Sequence, residues 1–74
     1  MATTKITVYR NGRPASNVKV TLEFTGWTNL GFTKPVYTNS HGEAYVEHSS
    51  TGEANVYLDG QHRGRTPGQD IFNI

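Results

Sequence analysis

Hydrophobic and polar positions alternate with a period of two along most of the chain, and no window repeats apolar residues at the i, i+3, i+4, i+7 spacing of an amphipathic helix. The pattern predicts strands. Ile6 and Val8 share one face of a first strand, Lys5, Thr7 and Tyr9 share the other, and Arg10-Asn11-Gly12-Arg13-Pro14 supplies the turn that follows. Val18, Val20, Leu22 and Phe24 alternate with Lys19, Thr21, Glu23 and Thr25 in the clearest amphipathic strand of the chain, so its apolar row is the expected heart of the core. Residues 26–34 carry two glycines and no clear period, which reads as a hydrophobic loop or short irregular strand ahead of Pro35.

Val36-Tyr37-Thr38 reads as a short strand, Asn39-Ser40-His41-Gly42 as a turn with Gly42 free to take positive φ, and 43–48 as the returning strand with Ala44 and Val46 facing inward. Ser49-Ser50-Thr51-Gly52 punctuates the chain before another strand over 53–59, which places Ala54, Val56 and Leu58 on one side and Asn55 and Tyr57 on the other. Asp59-Gly60 permits a sharp turn. The stretch 61–68 is too polar and glycine-rich for a core strand, and Ile71-Phe72-Asn73-Ile74 is placed to close an edge. Six or seven short strands at this spacing predict an all-β fold, a small antiparallel β-sandwich forming one domain over residues 1–74.

Composition narrows the function classes. At 74 residues the chain lies near the lower size limit for a single apolar core, and 34% apolar content with 11% aromatic residues argues for a folded domain. A net charge of +1 with scattered Lys and Arg gives no field for nucleic acid. No apolar run approaches a membrane span, and the opening Met1-Ala2-Thr3-Thr4 lacks signal-peptide features. With no cysteine for a disulfide framework, the compartment leans towards the cytoplasm.

The phrase Gly12-Arg13-Pro14-Ala15-Ser16-Asn17-Val18-Lys19-Val20-Thr21-Leu22, followed by the turn Thr38-Asn39-Ser40-His41-Gly42, resembles the transthyretin-like (prealbumin-like) sandwiches, including carboxypeptidase regulatory-like domains. The likeness covers residues 3–59 and implies a sandwich. A second phrase, from Val56-Tyr57-Leu58-Asp59-Gly60 through Gly64 to Thr66-Pro67, is similar to PEGA-type surface domains. One enzyme shares the transthyretin-like fold, a hydrolase of 5-hydroxyisourate, whose pattern places a histidine on the first strand and an arginine just before the Thr-Asn turn. Here those positions hold Lys5 and Tyr37, and the chain closes on Ile71-Phe72-Asn73-Ile74 in place of that family's tail, so the expectation is a non-enzyme without a cofactor.

Other chemistry is thin. His41, His48 and His62 with Glu43 and Glu47 have no metal-ligand spacing, and are expected to be solvated, with His48 at the core edge. A Lys–Asn amide cross-link through Lys5 or Lys19 and Asn55 needs a buried apolar site, whereas all three lie on outward faces. Arg10, Arg13, Arg63 and Arg65 read as ordinary loop cations. The aromatic set is the stronger candidate: Tyr9, Tyr45 and Tyr57 point outward, and Trp27 and Phe32 sit beside glycines. If strands 43–48 and 53–59 pair as a hairpin, Tyr45 and Tyr57 share an outer face. The expected function is a binding or assembly module that uses strand edges and this tyrosine face, with itself or a larger host protein as partner. The alternative is a carbohydrate-binding module in which Trp27, Phe32 and the tyrosines stack sugars while Asn29 and Gln61 bond hydroxyls.

Overall fold

The computed structural model describes residues 2–25, 31–49, 52–66 and 68–74, which form strands joined by turns, with no helix among them. In chain order the strands are β1 (Ala2–Arg10), β2 (Arg13–Pro14), β3 (Lys19–Phe24), β4 (Gly31–Phe32), β5 (Val36–Tyr37), β6 (Glu43–His48), β7 (Ala54–Leu58), β8 (Gln61–Thr66) and β9 (Ile71–Asn73). They form two mostly antiparallel sheets that do not close into a barrel, a small all-β sandwich as the alternation predicts.

The first sheet has β1 at its centre, paired along one side with β6 and, at its far end, with β2, and along the other side with β9. The β1–β9 pairing is parallel, which places the chain's last strand beside its first. The second sheet is built on β3, flanked by β7 on one side and by β4 and β5 on the other, with β8 outside β7.

The core follows from the period of two. Val18, Val20, Leu22 and Phe24 project inward with Ala54, Val56 and Leu58, and meet Ile6, Val8, Ala44, Val46 and Phe72 of the first sheet, all essentially without solvent contact. Burial of apolar side chains, thirteen of them among the described residues, is the main stabilising term available to so short a chain. Gly64 lets the sheets close: a Cβ there would stand 2.8 Å from the Phe72 ring, so only hydrogen lets β8 pass over that core residue.

Two local devices shape the connections between strands. Asn11-Gly12 and Asp59-Gly60 both take left-handed backbone, the geometry of tight two-residue hairpins, and join β1 to β2 and β7 to β8. Thr38 ties the 15–18 crossing to the 38–42 crossing. Its buried hydroxyl donates to the Ala15 carbonyl at 2.6 Å and accepts from the Val18 amide at 2.9 Å, while its own amide donates to the Val18 carbonyl at 3.0 Å.

Two expectations are corrected. Strands 43–48 and 53–59 do not pair: β6 runs beside β1 in the first sheet, whereas β7 runs beside β3 in the second, so the chain changes sheet between His48 and Ala54. The polar stretch after Gly60 is a strand, β8, at an edge where both faces can be polar. Its register shifts opposite Val56 and Tyr57, which leaves Arg63 as the extra residue of a bulge.

Candidate functional site

Strand parity decides which side chains leave the core, and on β3 and β7 it sends Lys19, Thr21, Glu23, Asn55 and Tyr57 to the outer face of the second sheet. Register then lines them up. Glu23 stands opposite Asn55 on one side and Phe32 on the other, Tyr57 lies between Thr21 and His62, and Arg65 faces Asn55 from β8.

The result is a row of rings across three strands. Phe32 meets Tyr57 edge-on, centroids 5.6 Å apart at 62°, and Tyr57 meets His62 at 5.4 Å and 54°. Phe32 is 62% exposed, the most open large apolar side chain among the described residues. A chain of hydrogen bonds fixes the row from below. Glu23 Oε1 accepts from the Tyr57 hydroxyl and from Asn55 Nδ2, each at 3.2 Å, and Asn55 Oδ1 accepts from His62 Nε2 at 3.3 Å. Partial desolvation, then the hydrogen bond and negative charge of Glu23, push the Tyr57 phenol above its ordinary value of 10.0. At neutral pH Tyr57 is therefore a firmly protonated donor held by a carboxylate.

Phe32 and Tyr57 are thus brought together, but the other predicted residues that the structure describes are not. Tyr45 lies 51% exposed on β6 of the first sheet, where its hydroxyl donates to Glu43 Oε1 at 3.2 Å; it does not share a face with Tyr57. Tyr9 is on β1, half-buried, also in the first sheet. Trp27 and Asn29 lie outside the described residues. Gln61 is exposed and accepts from Arg63 Nη2 at 2.9 Å. Sequence reading missed Glu23 and His62 as members of the row. Their signal is the i, i+2 parity of β3 together with the Asp59-Gly60 hairpin, which folds His62 back onto Tyr57.

The three histidines are scattered. His41 lies in the exposed turn, His48 packs its ring 4.8 Å from Phe24 and lies 2.8 Å from Thr4 Oγ1 at the core edge, and His62 belongs to the ring row. Among the described residues no group of three or more His, Asp or Glu side chains is placed to hold a metal. Lys5 makes an exposed 3.6 Å ion pair with Glu43 on the first sheet, while Lys19 is four residues from Glu23, the register partner of Asn55. That spacing is roughly 13 Å along an extended strand, too far for an amide cross-link.

A groove lies between the sheets, apart from most of the ring row. It has a volume of about 470 Å³, and its floor and walls include Phe24, Phe32, Val36, Tyr45 and His48, with Lys34 on the β4–β5 side and Glu47 on β6. Comparison of the chain with protein-family models, with curated proteins and with solved structures finds no match.

Proposed function

We propose that this domain is a non-enzymatic binding and assembly module that docks protein, a second copy of itself or a larger host protein, through the outer face of its second sheet and an exposed strand edge. One observation carries the reading: the Phe32–Tyr57–His62 row runs across the sheet face from β4 to β8, with Phe32 and His62 exposed and Tyr57 half-buried between them, and is bordered by Lys19, Glu23, Asn55 and Arg65. An aromatic centre within a polar, mixed-charge rim is the anatomy of a protein interface. The network through Glu23 and Asn55 lowers the entropy cost of presenting the rings, because they are already held in one arrangement.

The test is solution mass by light scattering over a dilution series, on the wild type and on Phe32→Ser with Tyr57→Ser. A concentration-dependent dimer that the double variant loses is the expected result. A strict monomer at every concentration would overturn self-assembly.

The glycan reading fares less well on ring geometry. Pyranose stacking needs ring faces turned to the ligand, whereas neighbouring rings here cross at 62° and 54°. Titration of soluble polysaccharides against Trp27 fluorescence distinguishes the two, since a saturable shift would favour the glycan. On the transthyretin-like family, the phrase from Gly12 to Leu22 supports membership: Gly12 turns the first hairpin, Ala15 is buried, and Val18, Val20 and Leu22 enter the core.

A further inference from the structure

The sheet edges differ in how open they are. On the second sheet, β8 ends the ladder with a bulge at Arg63 and with three cationic or imidazole side chains, His62, Arg63 and Arg65, which resist another strand. On the first sheet, β6 pairs with β1 alone, and among the described residues no ladder covers its other side. The strand is six residues long and unbulged.

The backbone of β6 is set to pair. The Val8 amide donates to the Gly42 carbonyl, so alternation along the antiparallel ladder turns the amides of Ala44, Val46 and His48 towards β1 and those of Tyr45 and Glu47 outward. Beside those outward groups lies the 470 Å³ groove, with Phe24, Phe32 and Val36 facing the edge. An added strand would therefore find hydrogen bonds on one side and an apolar trough for every second side chain.

Charge then selects the occupant. Glu47 is exposed, its register partner on β1 is the uncharged Thr3, and it makes no ion pair among the described residues. A residue opposite Glu47 on the free side would meet an unneutralised carboxylate. A second copy is disfavoured: antiparallel β6–β6 pairing centred on Tyr45 sets Glu43 against Glu47 twice. Lys34, on the far wall, borders the trough, where it disfavours cations among the inward side chains and not among the outer row.

We propose that the free edge of β6 with its groove is a strand-addition site for an extended segment of a partner protein, with Lys or Arg in its outer row and aliphatic residues in its inner row. This rests on the binding-module reading, but uses a surface separate from the ring row, apart from Phe32 at the groove's rim.

The experiment is an amide-resolved NMR titration of the full chain with a capped hexapeptide of alternating lysine and valine. Saturable shifts on Tyr45–Ser49 and on 33–36 are expected, with no comparable shifts at Asn55, Tyr57 and His62. N-methylation of the peptide amides facing β6 should abolish binding, and replacing its lysines by glutamates should weaken it at least about tenfold. In Glu47→Lys that preference should reverse. Absence of binding, equal binding of the N-methylated peptide, or shifts centred on Tyr57 and His62 would each overturn the edge site. The last of these outcomes would leave the ring-row reading intact, whereas unchanged self-association in the Phe32/Tyr57 double variant tests that reading separately.

Discussion

Gly42 lies where three strands converge, and replacing it separates two costs that usually come mixed. Its φ of +74° places it in the left-handed region, and a Cβ built there would stand 2.5 Å from the Val8 carbonyl oxygen and 3.2 Å from the Ala15 nitrogen. Gly12 has nearly the same φ, +76°, with nothing within 4 Å of its Cβ position. Gly12→Ala therefore measures backbone strain alone, about 1–2 kcal/mol. Gly42→Ala adds the overlap. The Val8 oxygen is backbone, held by the Ala15 amide at 2.9 Å, and the neighbouring Val8 amide donates to the Gly42 carbonyl at 2.8 Å, so relief must stretch one of these bonds. Overpacking of this kind costs roughly 1–3 kcal/mol, which brings Gly42→Ala to about 2–5 kcal/mol in all. A chain of this length is stable by roughly 4–11 kcal/mol, and each kcal/mol lowers Tm by about 4–8 °C. Thermal unfolding followed by circular dichroism should place Gly42→Ala at least about 4 °C below Gly12→Ala. Equal Tm values would refute the convergence described for β1, β2 and β6.

Thr38→Val strands the Val18 amide and Ala15 carbonyl in a buried site, so urea unfolding should show a loss of roughly 2–4 kcal/mol, while Thr38→Ser keeps most of the stability; equal losses would exclude the hydroxyl's role. For Tyr57 the folded pKa is raised, so its contribution to stability is complete below the unfolded value near 10 and is lost as pH rises through the folded value. Tyrosinate absorbance should show a late phase that Tyr57→Phe removes and Glu23→Gln moves to lower pH; an unchanged late phase in Glu23→Gln would exclude the carboxylate as a cause. Lys5→Met breaks only an exposed ion pair, and should alter stability by less than about 1 kcal/mol in chemical unfolding. A larger loss would mean that charge, not Ile6 and Ala44, holds β1 against β6.

The parts of this architecture legible in the sequence are those where one face of a strand is buried. Val18 to Phe24 and Ala54 to Leu58 alternate because each has a core behind it and solvent in front, and the Asn39–Gly42 turn announces itself through Asx and glycine chemistry. β8 was hidden for the converse reason: as an outer strand whose residues are mostly exposed and whose register is bulged, it has no period to read. The hairpin expected between β6 and β7 failed because nearness in sequence does not say whether a short connection turns within a sheet or crosses to the other one. That crossing separated Tyr45 from Tyr57 and left Phe32 and His62 as Tyr57's neighbours. The role of Glu23 was invisible for a related reason, since its two side-chain partners come from a strand more than thirty residues away.

The most direct test of the central claim, that the outer face of the second sheet is a protein-docking surface, is the map of amide shift changes on dilution of the wild-type chain from millimolar to micromolar concentration. The account predicts concentration-dependent shifts clustered on Phe32, Asn55, Tyr57 and His62. Shifts confined to the first sheet would contradict it, and none at any concentration would exclude a second copy as the partner.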